Sequence, residues 1–254
     1  MKPLILITND DGVEAKGLHT LCQVAKEFGD VVVMAPAHNA SGTSHSITSV
    51  RPLRVKEISH GEGLDIYCCD GTPVDCVKLG VEQFCPRRPS LVLSGINHGS
   101  NSSINVLYSG TMGGVIEATA LGFNAIGFSL LHHSPDADFE PGVPWIRQIM
   151  ATTLEKGLPE YVSLNVNIPR LTADEIKGVK VCHEARAMWT DSFAKRIDPQ
   201  GRPYWWLTGK FVCPNPPESS DEWALRNGYI SVVPIHADFT HYQAIEQLSP
   251  LYTR

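Results

Sequence analysis

Short apolar runs alternate with segments of helical periodicity along the first half of the chain. Residues 4–8 (LILIT) form one continuous apolar run, and residues 31–35 form a second. Such runs are typical of strands whose two faces are both covered in a parallel sheet. Between them, apolar residues recur at helical spacing from about Lys16 until Gly29-Asp30 interrupts the pattern, which predicts a helix.

The same alternation continues as far as about Pro135. The patterns predict a hairpin of strands at residues 53–58 and 64–68, and two further buried strands at 91–93 and 125–129. They also predict two helices, at 72–84 and at 111–121. Thr72-Pro73 fits the N-cap and first turn of one of these helices. Strands and helices in alternation favour a doubly wound, mostly parallel sheet.

Beyond Pro135 the pattern changes. A helix at about 145–156 and an alternating strand at 162–166 are followed by an aromatic, turn-rich stretch at about 183–217. That stretch is typical of β-hairpins or extended arms rather than of another strand–helix–strand unit. It is either a surface extension or an arm that contacts another subunit, because exposed aromatic side chains usually need a partner.

Composition narrows the class of protein. Of the 254 residues, 43% are hydrophobic and 19% are charged, which is ordinary for a globular protein. The net charge is -6 and no basic run exceeds Arg87-Arg88, so we expect no nucleic-acid polymer as partner. The first apolar run is too short for a signal peptide and no run is long enough to span a membrane, which predicts a cytoplasmic protein. The seven cysteines form no C-x-x-C pair, so we expect reduced thiols in the core.

Oxygen-bearing residues follow three of the predicted strands, at the sheet edge where parallel α/β proteins bind ligands. Asp10 and Asp11 follow the first strand, and Ser41 and Asn97 lie in the loops after two others. All four are hard donors, which suit magnesium, manganese or calcium better than zinc. The two aspartates alone also fit a turn with a helix cap. Together with the serine and the asparagine they predict a metal site.

A second candidate site lies where a predicted helix begins. Ser109, Gly110 and Thr111 are small residues at a helix N-terminus, where free backbone N–H groups and the helix dipole attract anions. The segment lacks the lysine of a P-loop, and an ordinary helix cap is the alternative. Asn101 fits either a phosphate contact or a brace for its loop. Asn9 fits either a ligand contact or a turn.

Motifs spread over nearly the whole chain are similar, in the same order, to those of the SurE family of nucleotidases. They are N-D-D-G at 9–12, S-G at 41–42, G-T-P at 71–73, S-G-I-N-H-G at 94–99, Y-S-G-T at 108–111, L-N-V-N at 164–167, D-P-Q-G-R at 198–202 and G-Y-I-S at 228–231. The chain therefore resembles a bacterial member of that family. Three departures from the family pattern bear on pocket shape: Asn105 in place of aspartate, M-G-G at 112–114 and S-S at 102–103.

The resemblance implies a Rossmann-like, three-layer α/β/α fold and a single domain over 1–254. Its core would span about 1–135, while 136–254 would complete the fold and carry an oligomerisation arm at about 183–217. The resemblance also implies hydrolysis of nucleoside 5′- and 3′-monophosphates, one Mg²⁺ or Mn²⁺ ion per subunit, and a homodimer or homotetramer whose arm and C-terminal segment exchange between subunits. The family's metal ligands fall on Asp10, Asp11, Ser41 and Asn97. Its phosphate contacts fall on Asn101, Ser109, Gly110 and Thr111.

The mechanistic hypothesis is direct hydrolysis of the phosphate ester at a metal centre. Asp10 would orient the attacking water or accept its proton, with Asp11 as the second acidic catalytic residue. A phospho-aspartate intermediate is a rival, although phosphatases of that type carry D-x-D rather than adjacent aspartates. A non-catalytic nucleotide-binding module is a rival from another class. A dehydrogenase fold is disfavoured because no G-x-G-x-x-G follows the first strand.

Overall fold

Most strands of the protein pair into one sheet. The structure is a computed structural model and describes residues 2–61 and 63–252. In chain order the strands are β1 (Leu4–Thr8), β2 (Asp30–Pro36), β3 (Val55–Ser59), β4 (Leu64–Cys69), β5 (Leu91–His98), β6 (Ala125–Leu130), β7 (Val162–Ile168), β8 (Gly178–Val181), β9 (Met188–Trp189), β10 (Ser192–Ile197), β11 (Pro203–Thr208), β12 (Phe211–Val212) and β13 (Tyr229–His236). Nine of them form a sheet in the order β3-β4-β2-β1-β5-β6-β7-β13-β8.

The direction of the strands is mostly parallel. The six strands from β4 to β7 in the sheet order pair in parallel with one another. Strand β3 runs antiparallel to β4, and β13 runs antiparallel to β7. Strand β8 pairs in parallel with β13 and therefore also opposes the central strands.

Helices cover both faces of this sheet. They are α1 (Lys16–Lys26), α2 (Pro73–Leu79), α3 (Gly110–Ala120), α4 (Val143–Lys156), α5 (Asp221–Arg226) and α6 (Tyr242–Tyr252). Because side chains alternate along a strand, Ile5 and Ile7 of β1 enter a core with α1 and α4. Leu4 and Leu6 enter a second core with α2, α3 and α5. The three-layer α/β/α prediction is confirmed.

One predicted boundary is wrong in a way that matters for the site. The pattern ended a strand at residue 93 and put the following residues in a loop, whereas β5 continues to His98. A register shift against β6 lies between Ser94 and Asn97. Gly95 has φ +129°, and a Cβ there would lie 2.3 Å from the Phe128 carbonyl oxygen, so only glycine fits this close pairing. Asn97 is therefore on a strand rather than on a loop.

Other differences concern the ends of elements and the last third of the chain. Helix α2 ends at Leu79 and is followed by a π-helical turn, Gly80–Phe84. These two elements together occupy the range 72–84 that was predicted as one helix. The alternation pattern gave no prediction for β8, α5, β13 or α6. A 3₁₀ helix, Ser103–Leu107, precedes α3.

The aromatic stretch forms two antiparallel ribbons, as predicted. Strand β10 pairs with β11, and β9 pairs with β12. We call residues 188–212 the aromatic arm. Its strands expose large apolar side chains, and α6 has no buried residue. Within the ranges that the structure describes, no helix combines the length and the apolar character needed to cross a membrane.

Candidate active site

The turn after β1 is held together by the side chain of Asn9. Its Nδ2 donates to the Gly12 carbonyl oxygen at 2.9 Å, and its Oδ1 accepts from the Gly12 N–H at 3.2 Å. Gly12 has φ +108°, a conformation that disfavours other residues. The buried Asn9 amide is thus engaged within the turn, which fits the turn alternative, and a contact with substrate stays a prediction. The turn presents Asp10 and Asp11 at the carboxyl edge of the sheet.

Three segments of the chain meet at Asp10, whose exposed fraction is 3%. The Thr111 hydroxyl donates to its Oδ1. The Ala40 N–H donates to its backbone carbonyl at 2.7 Å. Gly110 packs so closely that an added Cβ would lie 3.0 Å from Asp10 Oδ2. The loop that carries Ser41 and the start of α3 are therefore both fixed against the first aspartate.

The second aspartate is joined to β5. The His98 N–H donates to Asp11 Oδ2 at 3.2 Å, next to Asn97. Asn97 donates its Nδ2 to the Gly99 carbonyl at 2.8 Å, so its Oδ1 is the atom left for another partner. This orientation suits an asparagine that contributes oxygen to a cation.

Ser41 is the exposed member of the predicted metal ligands. It follows Ala40 directly, and its N–H donates to Asn39 Oδ1 at 2.8 Å. The structure brings its segment, the Asp10–Asp11 turn and the end of β5 to one edge of the sheet. The meeting of the four side-chain oxygens around one ion stays a prediction.

The electrostatics of the aspartate pair fit a bound cation. Burial raises the pKa of Asp10 above its usual value, the hydrogen bond from Thr111 opposes that rise, and the charge of Asp11 adds to it. Burial also raises the pKa of Asp11, against the lowering effect of the His98 N–H. Two adjacent carboxylates are therefore costly to ionise unless a positive charge compensates them. The oxygen-only donor set and this unmatched negative charge both suit a divalent cation.

The start of α3 has the form predicted for an anion site. Ser109 is the N-cap and its Oγ accepts from the Met112 N–H at 3.0 Å. Gly110 opens the helix beside Asp10. Thr111 is fully buried and gives its hydroxyl hydrogen to Asp10, a contact that the sequence did not suggest. A phosphate contact by Ser109, Gly110 or Thr111 stays a prediction.

Asn101 is the centre of a buried amide network. Its N–H donates to Asn167 Oδ1 at 2.8 Å, and its carbonyl accepts from Asn165 Nδ2 at 2.8 Å. Its own Nδ2 donates to Ser129 Oγ at 2.8 Å. These bonds fit the loop-bracing alternative, and a phosphate contact by Asn101 stays a prediction. The two β7 asparagines had a signal in the sequence, because polar residues two apart share one face of a strand.

A charged cluster ties the Ser41 loop to the helices behind it. Glu117 of α3 is buried and accepts from His45 Nε2 at 2.9 Å and from Lys78 Nζ at 2.7 Å. Burial favours a higher pKa for Glu117, but the hydrogen bonds and charges of Lys78 and His45 outweigh it and lower the pKa. The cluster therefore stabilises the fold while Glu117 is ionised.

Glu117→Gln is expected to lower the free energy of unfolding by about 1–2 kcal/mol at neutral pH. Because the pKa of Glu117 is lowered in the folded state, this contribution is present above the unfolded pKa and is lost as the pH falls through the folded pKa. Urea unfolding of both proteins between neutral and acid pH measures it. Glu155→Gln, at an exposed position of α4, is the control. A constant difference at every pH would contradict the assignment.

Comparison with known proteins decides the family. The model of the family described as "Survival protein SurE" matches residues 5–191, which is more than half of the chain. The chain belongs to the SurE family. A protein named 5′-nucleotidase SurE from Flavobacterium psychrophilum is 51% identical over 98% of this chain and 97% of its own length. One of the same name from Christiangramia forsetii is 52% identical over 98% and 96%.

A solved SurE structure agrees with the fold. The crystal structure of the SurE protein from Aquifex aeolicus superposes with a TM-score of 0.85 at 38% identity, and the match covers 98% of this chain and 99% of that one. The resemblance inferred from the sequence motifs is confirmed. One departure from the SurE pattern has a visible contact, because Asn105 Oδ1 accepts a hydrogen bond from Trp189 Nε1 at 2.8 Å.

Proposed function

We propose that this protein is a metal-dependent 5′-nucleotidase that hydrolyses nucleoside 5′-monophosphates, and also 3′-monophosphates, to nucleoside and phosphate. Its full-length relatives carry the name 5′-nucleotidase SurE. The structural observation that carries the proposal is the packing of Gly110, Thr111 and Ala40 around Asp10. That packing sets an acidic group directly beside a helix N-terminus suited to phosphate.

Asp10, Asp11, Ser41 and Asn97 are the residues that would hold the cation, with Mg²⁺ or Mn²⁺ as the ion. When bound, such an ion supplies positive charge that activates water and offsets the charge of the phosphoryl oxygens. It would also offset the repulsion between the buried Asp10 carboxylate and the partly buried Asp11 carboxylate. Asn97 contributes through Oδ1, because its Nδ2 is engaged with Gly99.

The catalytic work of the chain's own groups centres on Asp10. Asp10 orients the attacking water or accepts its proton, and the Thr111 hydroxyl holds the carboxylate in place for that role. The backbone N–H groups at the start of α3, with the Ser109 hydroxyl, hold the phosphoryl oxygens as negative charge spreads over them. Asn9 and Asn101 support the turn and the loop that border the phosphate.

The proposal includes a cytoplasmic homo-oligomer, a dimer or a tetramer, built from one SurE-type domain over 1–254. Both the aromatic arm and α6 expose apolar side chains that another subunit would cover. In α6 and the residues just before it, the exposed apolar side chains are Phe239, Tyr242, Ile245, Leu248, Leu251 and Tyr252. These exposed side chains support contacts between subunits through the arm and the C-terminal segment.

Metal removal is expected to abolish phosphate release from nucleoside monophosphates. A screen of mononucleotides with Mg²⁺, with Mn²⁺ and with EDTA measures the free phosphate. EDTA should reduce the rate by at least about 100-fold, since the cation supplies most of the charge that offsets the phosphoryl oxygens. Restoration on adding back one ion identifies the preferred metal. Metal-dependent nucleotide binding without any phosphate release would instead favour a non-catalytic binding module.

A further inference from the structure

A cavity of about 380 Å³ lies between the segment that precedes α3 and the aromatic arm. Two aromatic side chains, Tyr108 and Trp189, stand in its wall, and their exposed fractions are 55% and 42%. The remaining lining residues are Asn105, Asp191, Leu207, Thr208 and Gly209. The volume falls within the roughly 300–1,000 Å³ usual for small-molecule pockets, and aromatic walls with a few polar groups are typical of them.

The polar groups of this cavity are oriented by contacts within the wall. Trp189 Nε1 donates to Asn105 Oδ1 at 2.8 Å, so the indole is fixed and Asn105 Nδ2 is left as a donor. The indole also packs on Phe211, with ring centroids 5.6 Å apart. Asp191 adds a carboxylate acceptor. The wall therefore combines a rigid aromatic surface, one donor and one acceptor.

The cavity adjoins the proposed phosphate site along the chain. Tyr108 directly precedes Ser109, the N-cap of α3, and consecutive Cα atoms are about 3.8 Å apart. The Tyr108 carbonyl accepts from the Ser44 N–H at 3.2 Å, which fixes this position against the Ser41 loop. In a nucleoside monophosphate, a single ribose separates phosphate from base. A phosphate at Ser109 and Gly110 thus sets the base within reach of Tyr108.

We propose that this cavity binds the nucleobase of the substrate, with Tyr108 and Trp189 stacking on the base and Asn105 and Asp191 pairing with its polar edge. The inference rests on the proposed nucleotidase function and assigns specificity residues to it. Because every base has a π-face, stacking of this kind distinguishes a nucleotide from a base-free phosphate ester more strongly than one base from another.

Trp189→Ala tests the assignment when adenosine 5′-monophosphate is compared with ribose 5-phosphate, which has the same phosphate and sugar but no base. We expect the KM for the nucleotide to rise about 10-fold, the loss typical of one stacked base. The kcat/KM for ribose 5-phosphate should stay within about twofold, because that compound has no ring to stack. Trp189→Phe keeps a ring and should show a smaller rise.

Trp206→Ala is the matched control, because Trp206 is an exposed tryptophan of the same arm that does not line the cavity. It should leave the ratio of kcat/KM for the two compounds unchanged. Equal losses for both compounds in Trp189→Ala, or no loss for the nucleotide, would overturn the assignment.

Calorimetric binding of adenosine separates this inference from the proposed function, since it needs no turnover. If wild-type protein released no phosphate from either compound, the proposed function would fail while the binding assay still decided the role of the cavity. Adenosine binding weakened about 10-fold by Trp189→Ala would support it. Equal binding by both proteins, or no binding by wild type, would reject it.

Discussion

Asp10→Asn is expected to reduce the kcat for nucleoside monophosphates by at least about 1,000-fold, since it would remove a proposed metal ligand and the carboxylate proposed to orient the attacking water or accept its proton. The amide has the same shape and its Oδ1 can still accept from the Thr111 hydroxyl. The fold should therefore be retained. Steady-state phosphate release and circular dichroism of the purified variant measure the two effects.

The thermal stability of the same variant gives an independent check. Because burial raises the pKa of Asp10 in the folded state, ionisation of this group opposes folding in metal-free protein. In EDTA, Asp10→Asn should melt no lower than wild type above that raised pKa, with any gain disappearing as the pH falls below it. Asp30→Asn is the control for the activity measurement. It removes a carboxylate that pairs with Arg87 and should keep the wild-type rate of phosphate release. Near-normal turnover by Asp10→Asn would refute the catalytic assignment.

Asp221→Ala is expected to produce the largest loss of stability away from the site. This fully buried carboxylate accepts from the backbone N–H groups of Ser103 at 2.7 Å, Ala185 at 2.9 Å and Glu222 at 2.7 Å. Alanine would leave all three donors buried without acceptors, at about 3–5 kcal/mol in total. The urea midpoint of unfolding measures the change.

Asp221→Asn is the matched variant for that experiment. It keeps the shape and one acceptor oxygen, so it should lose less stability than alanine, by roughly half. Asp174→Ala removes an exposed aspartate and should change the free energy of unfolding by less than about 0.5 kcal/mol. If Asp221→Ala unfolded at the wild-type midpoint, the three hydrogen bonds would not be the tie between α5 and the Ser103 segment that the structure indicates.

The elements that the sequence predicted are those with strong local patterns. The apolar run of β1 and the spaced apolar residues of α1 each specify one structure without help from distant residues. Strand β5 was predicted too short because Ser94-Gly95-Ile96-Asn97 has the composition of a turn. Its pairing with β6 on both sides of the register shift overrides that local preference. Strand β13 contains Pro234 and depends on partners far away in the chain.

The candidate site shows the same division. The rule that ligands bind at the carboxyl ends of parallel strands pointed to the sheet edge at which the structure places the turn at Asp10 and the end of β5. The partners of individual hydrogen bonds could not be predicted from the sequence. The Thr111 hydroxyl, for example, donates to the Asp10 carboxylate, which lies 101 positions earlier in the chain. The charged cluster around Glu117 likewise joins residues from three separate segments. Local patterns identify the chemical types at the edge, and tertiary packing decides what each group contacts.

The position of β13 between β7 and β8 has a consequence for synthesis on the ribosome. Synthesis proceeds at about 5–20 residues per second. While the residues between β7 and β13 are being added, the nascent protein has an open strand edge at β7. Strand β8 emerges earlier but has no neighbour to pair with until the late strand arrives. An open edge pairs readily with other extended chains, so we expect the tendency of the nascent protein to aggregate to fall once β13 has been released and has paired with β7.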